Sequence, residues 1–295
     1  MSNMNCVNIK TEGELAANEV VKNELKLYML KSTENIGEVV VRSPITRKVT
    51  VTNGIFYDGL TESYTHNNEN FYVRVKNAGC YVSVLDADSL SLFISGNGYV
   101  KVVGGADAIA DLIGLQTLVL NDNILGSLSC LYGMDDLVSC DITGTSLYGG
   151  LQDVGKKNNL QYFKARNNPV IDVFKPDVVA NVMPNIKELF SGAKGFRGDM
   201  SLLPNSCYFA WSDFPSRCTW KHERRSGMIV SMNNIYFGDD IDKMFIDQSY
   251  CSVDPEAIGD AKKIIVNGNR TSASDSAVDS LKKKGFTVIV NGSVL

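Results

Sequence analysis

The chain contains two histidines, and they limit the catalytic and metal-binding chemistry that the sequence can support. His66 lies in a polar stretch, and His222 lies within RCTWKHERR. Neither has a cysteine, histidine or carboxylate at the spacing of a zinc site, and neither stands in a recognisable nucleophile motif. The glycines between Gly96 and Gly105 lack the spacing of a phosphate loop or a dinucleotide-binding fingerprint. We therefore predict a protein that is not an enzyme and has no metal or cofactor; an activity lost on His222→Ala would argue for the enzyme alternative.

Two charged stretches could contact ions or charged partners. The acidic one, GDDID at 238–242, lacks the remaining ligands of a calcium loop. We interpret it as the solvated start of a helix, where the helix dipole favours acidic side chains. The basic one, RCTWKHERR at 217–225, could contact phosphate or an acidic partner. A solvated face is the alternative interpretation of this run.

Composition and charge argue against nucleic acids and membranes as partners. Apolar residues make up 44% of the chain and charged residues 21%, which is ordinary for a soluble globular protein. The net charge of −4 offers no general attraction to nucleic acid or to an anionic membrane. We see no secretory signal and no stretch near the roughly 18 apolar residues of a membrane span. The seven cysteines are scattered without a CxxC pair, which predicts buried free thiols in a reducing cytoplasm.

The elements that position side chains are indicated by a recurring spacing, first visible in LQTLVLNDNILG at 115–126. Leu115, Leu118, Leu120, Asn123 and Leu125 are separated by three, two, three and two residues. These gaps fit neither a helix nor strict alternation, but they fit a short strand followed by a bend at the asparagine. The spacing recurs in LVSCDITGTSL at 137–147, LQYFKARNNPV at 160–170, IKELFSGAKGF at 186–196, SLSLFISGNGY at 89–99, AKKIIVNGNRT at 261–271 and KKGFTVIVNGS at 283–293.

Between residues 200 and 260 the pattern is weaker. SCYFAWSDFPS at 206–216 fits with Phe209 and Trp211 pointing inward, and SGMIVSMNNIYF at 226–237 fits in either of two frames. A longer interval at 238–261 predicts a helical excursion between two strands.

A period in the twenties with LxxLxLxxNxL is typical of leucine-rich repeats, and residues 86–295 resemble that family. The resemblance implies an α/β solenoid with a parallel β-sheet, in which the LxL pair points inward. Each asparagine is expected to bond backbone groups that the bend leaves unpaired. No single turn buries enough surface to stand alone, so neighbouring turns must support one another.

The first third of the chain does not follow the repeat. Thr11 and Glu14 have capping-box spacing, which predicts an N-terminal helix within residues 1–35 that ends near Ser32. This helix could pack on its own domain or serve as a self-association anchor. Residues 36–85 are rich in β-branched residues and predict a small β unit that caps the first repeat, with a hairpin turn at 77–79.

Residues between the two inward positions of each repeat should face outward on the concave side of the sheet. Several are apolar where a solvated sheet would favour polar side chains, which suggests cover by a partner, another subunit or the protein's own loops. Aromatic residues and arginine are enriched in binding hot spots. The predicted binding surface consists of Phe93, Val119, Tyr162, Lys164, Arg166 and Phe190. Scattered apolar surface without a role is the alternative.

The whole chain also resembles the divergent leucine-rich-repeat proteins of gut Bacteroidetes and their crAss-like tailed phages. The resemblance lies in the loose repeats, in ENIGEVVVRSPITRKVTVTNG at 34–54 and in NGNRTSASDSAVDSLKKKGFTVIVNG at 267–292. It implies a phage virion surface protein, of head-fibre or decoration type, assembled in the host cytoplasm. Such a protein would form homo-oligomers, contact capsid proteins through its N-terminal region and bind a protein or glycan partner. A bacterial adhesin or an interaction module of the bacterial cytoplasm is the alternative.

Overall fold

The computed structural model describes residues 104–110, 112–120, 124–169 and 171–295, and before residue 104 it describes the backbone of eight strands. The described strands are β1 Leu25–Met29, β2 Ile36–Arg42, β3 Val49–Thr52, β4 Gly54–Tyr57, β5 Asn70–Val75, β6 Cys80–Val84, β7 Ser91–Ser95, β8 Val100–Val102, β9 Thr117–Leu120, β10 Leu125–Ser127, β11 Ser139–Asp141, β12 Ser146–Tyr148, β13 Tyr162–Lys164, β14 Glu188–Phe190, β15 Arg197–Asp199, β16 Phe209–Trp211, β17 Ser216–Thr219, β18 Ser231–Gly238, β19 Lys263–Gly268, β20 Thr287–Val290 and β21 Ser293–Val294. The described α-helices are α1 Pro176–Val182, α2 Ile241–Tyr250 and α3 Asp275–Lys283. Short 3-10 helices lie at Gly105–Ile109, Leu128–Leu131, Leu151–Val154, Met200–Leu202, Gly259–Lys262 and Ser272–Ser274.

Most of the described strands form one sheet whose central part is parallel. Its order is β21-β20-β19-β18-β16-β14-β13-β11-β9-β7-β2-β5-β4, and β15 and β17 join it beside β18. Every neighbouring pair from β7 to β20 is parallel, and so are β15 with β17 and β17 with β18. A sheet β3-β6-β1-β8 and a pair β10-β12 contain the other described strands. The described part of the protein is thus a mostly parallel β-sheet with few helices, which is the coarse architecture that the spacing predicts.

The inward positions of the parallel strands share one core. A single column of paired positions runs through the parallel strands and consists of Leu118, Cys140, Phe163, Leu189, Ala210, Met232, Ile264 and Val288. Each of these residues is at most 1% exposed, and all belong to one hydrophobic cluster. Leu120, Ile142 and Ala165 are buried in the same cluster. Successive strands therefore contribute to one continuous interior rather than to separate cores.

Among the asparagines at described bends, Asn291 makes the predicted bonds to backbone groups of the neighbouring turn, whereas Asn168 and Asn269 bond side chains there. Asn291, with φ of 51°, accepts a hydrogen bond at Oδ1 from Gly268 N (3.1 Å) and donates one from Nδ2 to Gly268 O (3.0 Å). The buried Asn168 donates from Nδ2 to Thr145 Oγ1 (2.8 Å), which itself donates to Ile142 O (2.9 Å). These bonds satisfy buried polar groups where the regular strand pairing stops.

The frame predicted for β16 is wrong. Phe209 and Trp211 face away from the main core, because Ala210 pairs with Leu189 and occupies the inward column. Ser212, two residues after Ala210, is buried as well. The hydrogen-bonding register with the preceding strand determines which face each residue takes, and a slip of one residue would turn every side chain of β16 to the other face.

The two frames left open for residues 226–237 are both used, because β18 contains an irregularity. The pairing with β19 shifts between Met232 and Ile235, and both side chains are fully buried in the main core. Asn234 adopts φ of 57° at this shift. Asn233 and Asn234 each donate from Nδ2 to Ser212 O, at 3.1 and 3.2 Å. A bulge of this kind inserts residues without disturbing the inward pattern on either side of it.

The three described α-helices lie in segments that return the chain to the next strand of the main sheet, and α1 connects β13 to β14. The predicted excursion at 238–261 contains α2, which buries Met244 and Phe245. The segment before the last repeat contains α3, which buries Ala277 and Leu281 on one face. Gly285, with φ of 88°, follows α3 in the left-handed conformation expected of a glycine after a helix.

The prediction of an N-terminal helix that ends near Ser32 is wrong for Leu25–Met29, which form the strand β1. This strand pairs antiparallel with both β6 and β8. Leu25, Leu27 and Met29 alternate along it, a period of two that favours a strand once both edges have partners. Residues 1–24 lie outside the described residues.

The hairpin predicted at 77–79 is also wrong. The strand before it, β5, pairs with β2 and β4, whereas the strand after it, β6, pairs with β1 and β3. The chain therefore changes sheets at this point. Within the predicted capping unit 36–85, β2 pairs antiparallel with β7, the first parallel strand. This pairing covers a backbone edge that would otherwise be open to other chains.

Candidate binding surface on the outer face of the sheet

The outer face is the side of the main sheet opposite its core, and it carries the residues predicted to bind a partner. Strand register places Phe93 beside Val119, and Lys164 beside Phe190, with Asp141 between Val119 and Lys164. The side chains of Val119, Lys164 and Phe190 are half-buried. For Phe93 only the backbone position is described. Four of the six predicted residues thus occupy one row across adjacent strands.

Tyr162 and Arg166 flank this row on the strand that carries Lys164. Tyr162 begins β13, is half-buried and pairs with Glu188 on the next strand. Arg166 lies just beyond β13 and is exposed. Its Nε lies 2.6 Å from Asp213 Oδ2, and its Nη2 lies 3.0 Å from Asp213 Oδ1. This two-point ion pair gives the guanidinium a defined position despite its exposure.

Three aromatic rings on β14 and β16 form a group that we call the outer aromatic cluster. The centroids of Phe190 and Phe209 lie 4.9 Å apart. Those of Phe209 and Trp211 lie 5.2 Å apart, with nearly parallel planes. Lys164 Nζ lies 5.3 Å from the centroid of Phe190, and the guanidinium carbon of Arg166 lies 5.9 Å from it. The two cations are therefore within cation–π distance of the same ring.

Part of the outer aromatic cluster is covered by the protein's own chain. Residues 254–261, here called the covering loop, pack against it through Ala257, which is 3% exposed. Phe209 is 6% exposed in the same contact. Ser231 Oγ donates to Asp260 O (2.7 Å) and holds the end of this loop on β18. Cover by a loop, one of the alternatives that the sequence left open, occurs at Phe209, while Phe190 and Trp211 stay half-exposed at its margin.

Charged hydrogen bonds fix the margin of the covered area. Tyr208 Oη donates to Glu188 Oε1 at 2.6 Å. Burial and the nearby carboxylate raise the pKa of Tyr208, so the phenol remains a donor at neutral pH. Lys187 Nζ lies 3.2 Å from Glu256 Oε2 on the covering loop, and this bond raises the pKa of Lys187. The half-exposed rings thus sit beside a margin that is already ordered.

Sequence reasoning missed Trp211 and Asp213 as outer-face residues. The alternation in Phe209–Trp211 is visible in the sequence, but apolar side-chain size favours the wrong face for these two residues. Reading this segment in the register of Leu189 would have turned Ala210 inward and Trp211 outward. The bond between Asp213 and Arg166 left no local signal, because the two residues come from different repeats.

His222 forms a polar cluster on another part of the surface. Its Nδ1 lies 2.6 Å from Asp199 Oδ2, and its backbone N donates to Ser201 Oγ (3.0 Å). Ser201 Oγ donates to Asp199 Oδ1 (2.6 Å), as does Lys221 N at 3.0 Å. Burial favours a higher pKa for Asp199, but these hydrogen bonds outweigh it and lower the pKa. The hydroxyl bonds the carboxylate rather than the imidazole, so this cluster holds a loop and does not form a nucleophile–base pair.

The cysteines whose side chains are described lie in environments that disfavour the thiolate. All five are free and buried, namely Cys130, Cys140, Cys207, Cys218 and Cys251. Burial raises the pKa of the thiols, to about 12 for Cys130 and about 11 for Cys207. The prediction of buried free thiols is confirmed for these five residues.

Within the described ranges, no group of three or more His, Cys, Asp and Glu side chains is placed to hold a metal ion. In that same part of the chain, no helix is long and apolar enough to cross a bilayer. No protein-family model, curated protein or solved structure matches the chain.

Proposed function

We propose that residues 86–295 form a leucine-rich-repeat solenoid that binds a protein partner through its outer face and catalyses no reaction. The single core column supports the repeat assignment, because each strand depends on its neighbours for burial. The bonds of Asn168 and Asn291 to adjacent turns support it as well, because they follow the repeat spacing. Side chains on stacked strands lose little conformational freedom on contact, which favours binding.

The observation that carries the proposal is the arrangement of Lys164 and Arg166 over Phe190, beside the half-exposed Trp211. Tryptophan, tyrosine and arginine are the residues that most often dominate binding energy at interfaces. Here Arg166 is oriented in advance by Asp213, so it needs little reordering when a partner arrives. A glycan stacked on Trp211 is the other ligand class that this surface could accept.

Partner capture by variants of this surface tests the proposal. We expect wild-type protein, immobilised and exposed to an extract of phage particles or host cells, to retain a defined partner. Trp211→Ala should weaken retention by roughly 30-fold, the effect of losing a hot-spot residue worth about 2 kcal/mol, and Lys164→Glu should weaken it through its reversed charge. Tyr148→Ala is the matched control, because Tyr148 is 54% exposed on β12, outside the main sheet. Equal retention by all variants that keep the wild-type melting temperature would reject the outer face as the site.

The resemblance to proteins of gut Bacteroidetes and their crAss-like phages extends the proposal to a biological setting. In that setting the protein is a homo-oligomeric head-fibre or decoration component whose N-terminal region contacts capsid proteins. We expect the full chain to be found in gradient-purified virus particles and to be larger than a monomer by light scattering. The full chain is required, because deleting residues 1–85 would expose the edge of β7 that β2 covers. Absence from particles, combined with a monomeric chain that captures a host protein, would favour the intracellular interaction module instead.

A further inference from the structure

A groove lies where β15, β17 and the second half of β18 run side by side. Strand pairing places Arg197 beside Arg217, and Arg217 beside Tyr236. The groove has a volume of about 430 Å³, and Lys221 and Asp199 also line it. Arg197, Arg217 and Lys221 are exposed, and Tyr236 is 42% exposed. This site is separate from the outer aromatic cluster, whose strand β16 pairs with the first two residues of β18.

The two arginines of this groove are a like-charged pair on adjacent strands. Neighbouring strands lie about 4.8 Å apart, and like charges directly opposite each other destabilise a sheet. No described carboxylate forms an ion pair with Arg197, Arg217 or Lys221, and Arg217 instead lies 5.8 Å from the ring centroid of Tyr236. Lys194, another exposed cation, does have a carboxylate partner, whereas Lys282 and Lys283 on α3 form no ion pair with a described carboxylate but have no cation opposite them on a neighbouring strand. An anion bound between the two arginines would remove their repulsion.

Asp199 is the carboxylate among the described residues of the groove lining, and its oxygens are already occupied. Oδ1 accepts hydrogen bonds from Ser201 and from Lys221 N, and Oδ2 contacts His222. Asp199 has a side chain only 9% exposed. The polar side-chain groups that can meet a ligand therefore include the donors of the three cations, Tyr236 Oη and the hydroxyl of Thr219.

We propose that this groove binds a saccharide that carries carboxylate or sulphate groups. Arg197 and Arg217 donate to the acidic group, because a planar guanidinium matches an oxyanion with two parallel hydrogen bonds. Tyr236 packs on the apolar face of the sugar ring. The volume of the groove falls in the range that holds small organic ligands. Nucleic acid is disfavoured, because the chain has a net charge of −4 and three cations in one groove do not form an extended basic track.

Calorimetric titration of the full chain tests the proposal with four probes. These are a sulphated heparin hexasaccharide, a hexagalacturonate, neutral maltohexaose and inorganic sulphate. We expect saturable binding of at least one acidic hexasaccharide and none of maltohexaose. The two acidic probes show whether sulphate or carboxylate is preferred. Tyr236→Ala should weaken binding of the acidic sugar by about tenfold, since the aromatic contact is lost.

Charge variants separate the groove from general attraction. The double variant Arg197→Gln with Arg217→Gln should weaken binding by about 100-fold, tenfold for each charge-assisted contact. The control variant Lys282→Gln with Lys283→Gln removes the same charge from exposed positions of α3 and should leave affinity within about twofold. The arginine variant should be at least as stable to urea as wild type, because a repulsive pair is removed. If the double variant is less stable than wild type, binding is measured instead with the single variants Arg197→Gln and Arg217→Gln.

Several results would overturn the assignment. These are no binding of either acidic hexasaccharide, sulphate binding as tight as that of the sugars, or equal loss of affinity in the lysine control. Unchanged affinity in the arginine variants would do so as well. None of these outcomes bears on partner capture through Trp211, so the two sites are tested independently.

Discussion

Replacing the buried Arg224 should test what holds the weakest repeats together. Arg224 is 2% exposed, and its guanidinium bonds four backbone carbonyls. Nε donates to Leu203 O (3.2 Å), Nη1 to Met228 O (2.7 Å) and Nη2 to both Cys207 O (3.2 Å) and Pro204 O. This one side chain thus ties the segment before β16 to the segment before β18, where the leucine pattern of the sequence is poorest.

The expected cost of Arg224→Met follows from three of those acceptors, because Pro204 O also accepts a hydrogen bond from Cys207 N (2.9 Å) and keeps it in the variant. A buried carbonyl left without a donor costs about 1–3 kcal/mol. Water entry and the packing of the methionine side chain offset part of this loss, and the buried charge also disappears. We therefore expect the free energy of unfolding to fall by about 4 kcal/mol, which corresponds to a decrease of roughly 10 °C in melting temperature. That is a large share of the stability of a typical protein.

Urea unfolding followed by tryptophan fluorescence provides the measurement, since Trp220 is buried and its Nε1 donates to Asp247 Oδ2 (2.9 Å). Arg225→Met is the matched control. The side chain of Arg225 is 49% exposed, lies 3.8 Å from Asp247 and stacks 4.4 Å from the ring centroid of Tyr250. Removing such a surface contact should cost less than about 1 kcal/mol. If Arg224→Met costs no more than Arg225→Met, the carbonyl network does not hold these repeats and the reasoning fails.

Three further predictions concern local bonds and ionisation. Asn291→Ala removes both hydrogen bonds to Gly268 and leaves alanine, which tolerates positive φ poorly, at φ of 51°. The free energy of unfolding should therefore fall by about 1–3 kcal/mol. An unchanged midpoint of urea unfolding would contradict this role of the asparagine. The lowered pKa of Asp199 means that its stabilisation is present above the unfolded pKa of about 3.9 and is lost as pH falls through the lower folded pKa. Asp199→Asn should therefore destabilise the protein at pH 7 and match wild type in strong acid, whereas a pH-independent difference would refute the assignment. Burial raises the pKa of Cys130 to about 12 and of Cys207 to about 11. A disulfide reagent should therefore modify these thiols only as fast as local or global unfolding exposes them. Rapid labelling of the native protein would contradict this prediction.

The sequence spacing predicted which residues lie on the outer face of the sheet, but it did not predict the contacts that these residues make there. Val119, Lys164 and Phe190 could be assigned to one face, because side chains alternate along a strand whatever lies around it. The ion pair that orients Arg166 could not be predicted, since it requires knowing that the loop after β16 returns beside β13. The loop that covers Phe209 left no signal either, because an aromatic residue is as apolar under a loop as in a core.

The positions of the charged residues in the groove of Arg197, Arg217 and Tyr236 could not be predicted from the sequence either. The sequence showed a basic run at 217–225, but Arg224 of that run is buried in a structural network while Arg217 faces solvent. Arg197 lies outside the run and joins it only through strand pairing. Sequence proximity therefore grouped residues with different roles.

What the sequence by itself determined was the recurring spacing and the inward residues wherever the leucine pattern was strong, and the resemblance to leucine-rich repeats added the expectation of a parallel sheet. These properties depend on local alternation and on the need of each short strand to share a core with its neighbours. Only the tertiary structure decided the phase of β16, the irregularity in β18 and the strand at Leu25–Met29. In β16 the larger apolar side chains, Phe209 and Trp211, lie on the outer face, so side-chain size alone points to the wrong face. The hydrogen-bonding register with the adjacent strand determines that Ala210 is inward.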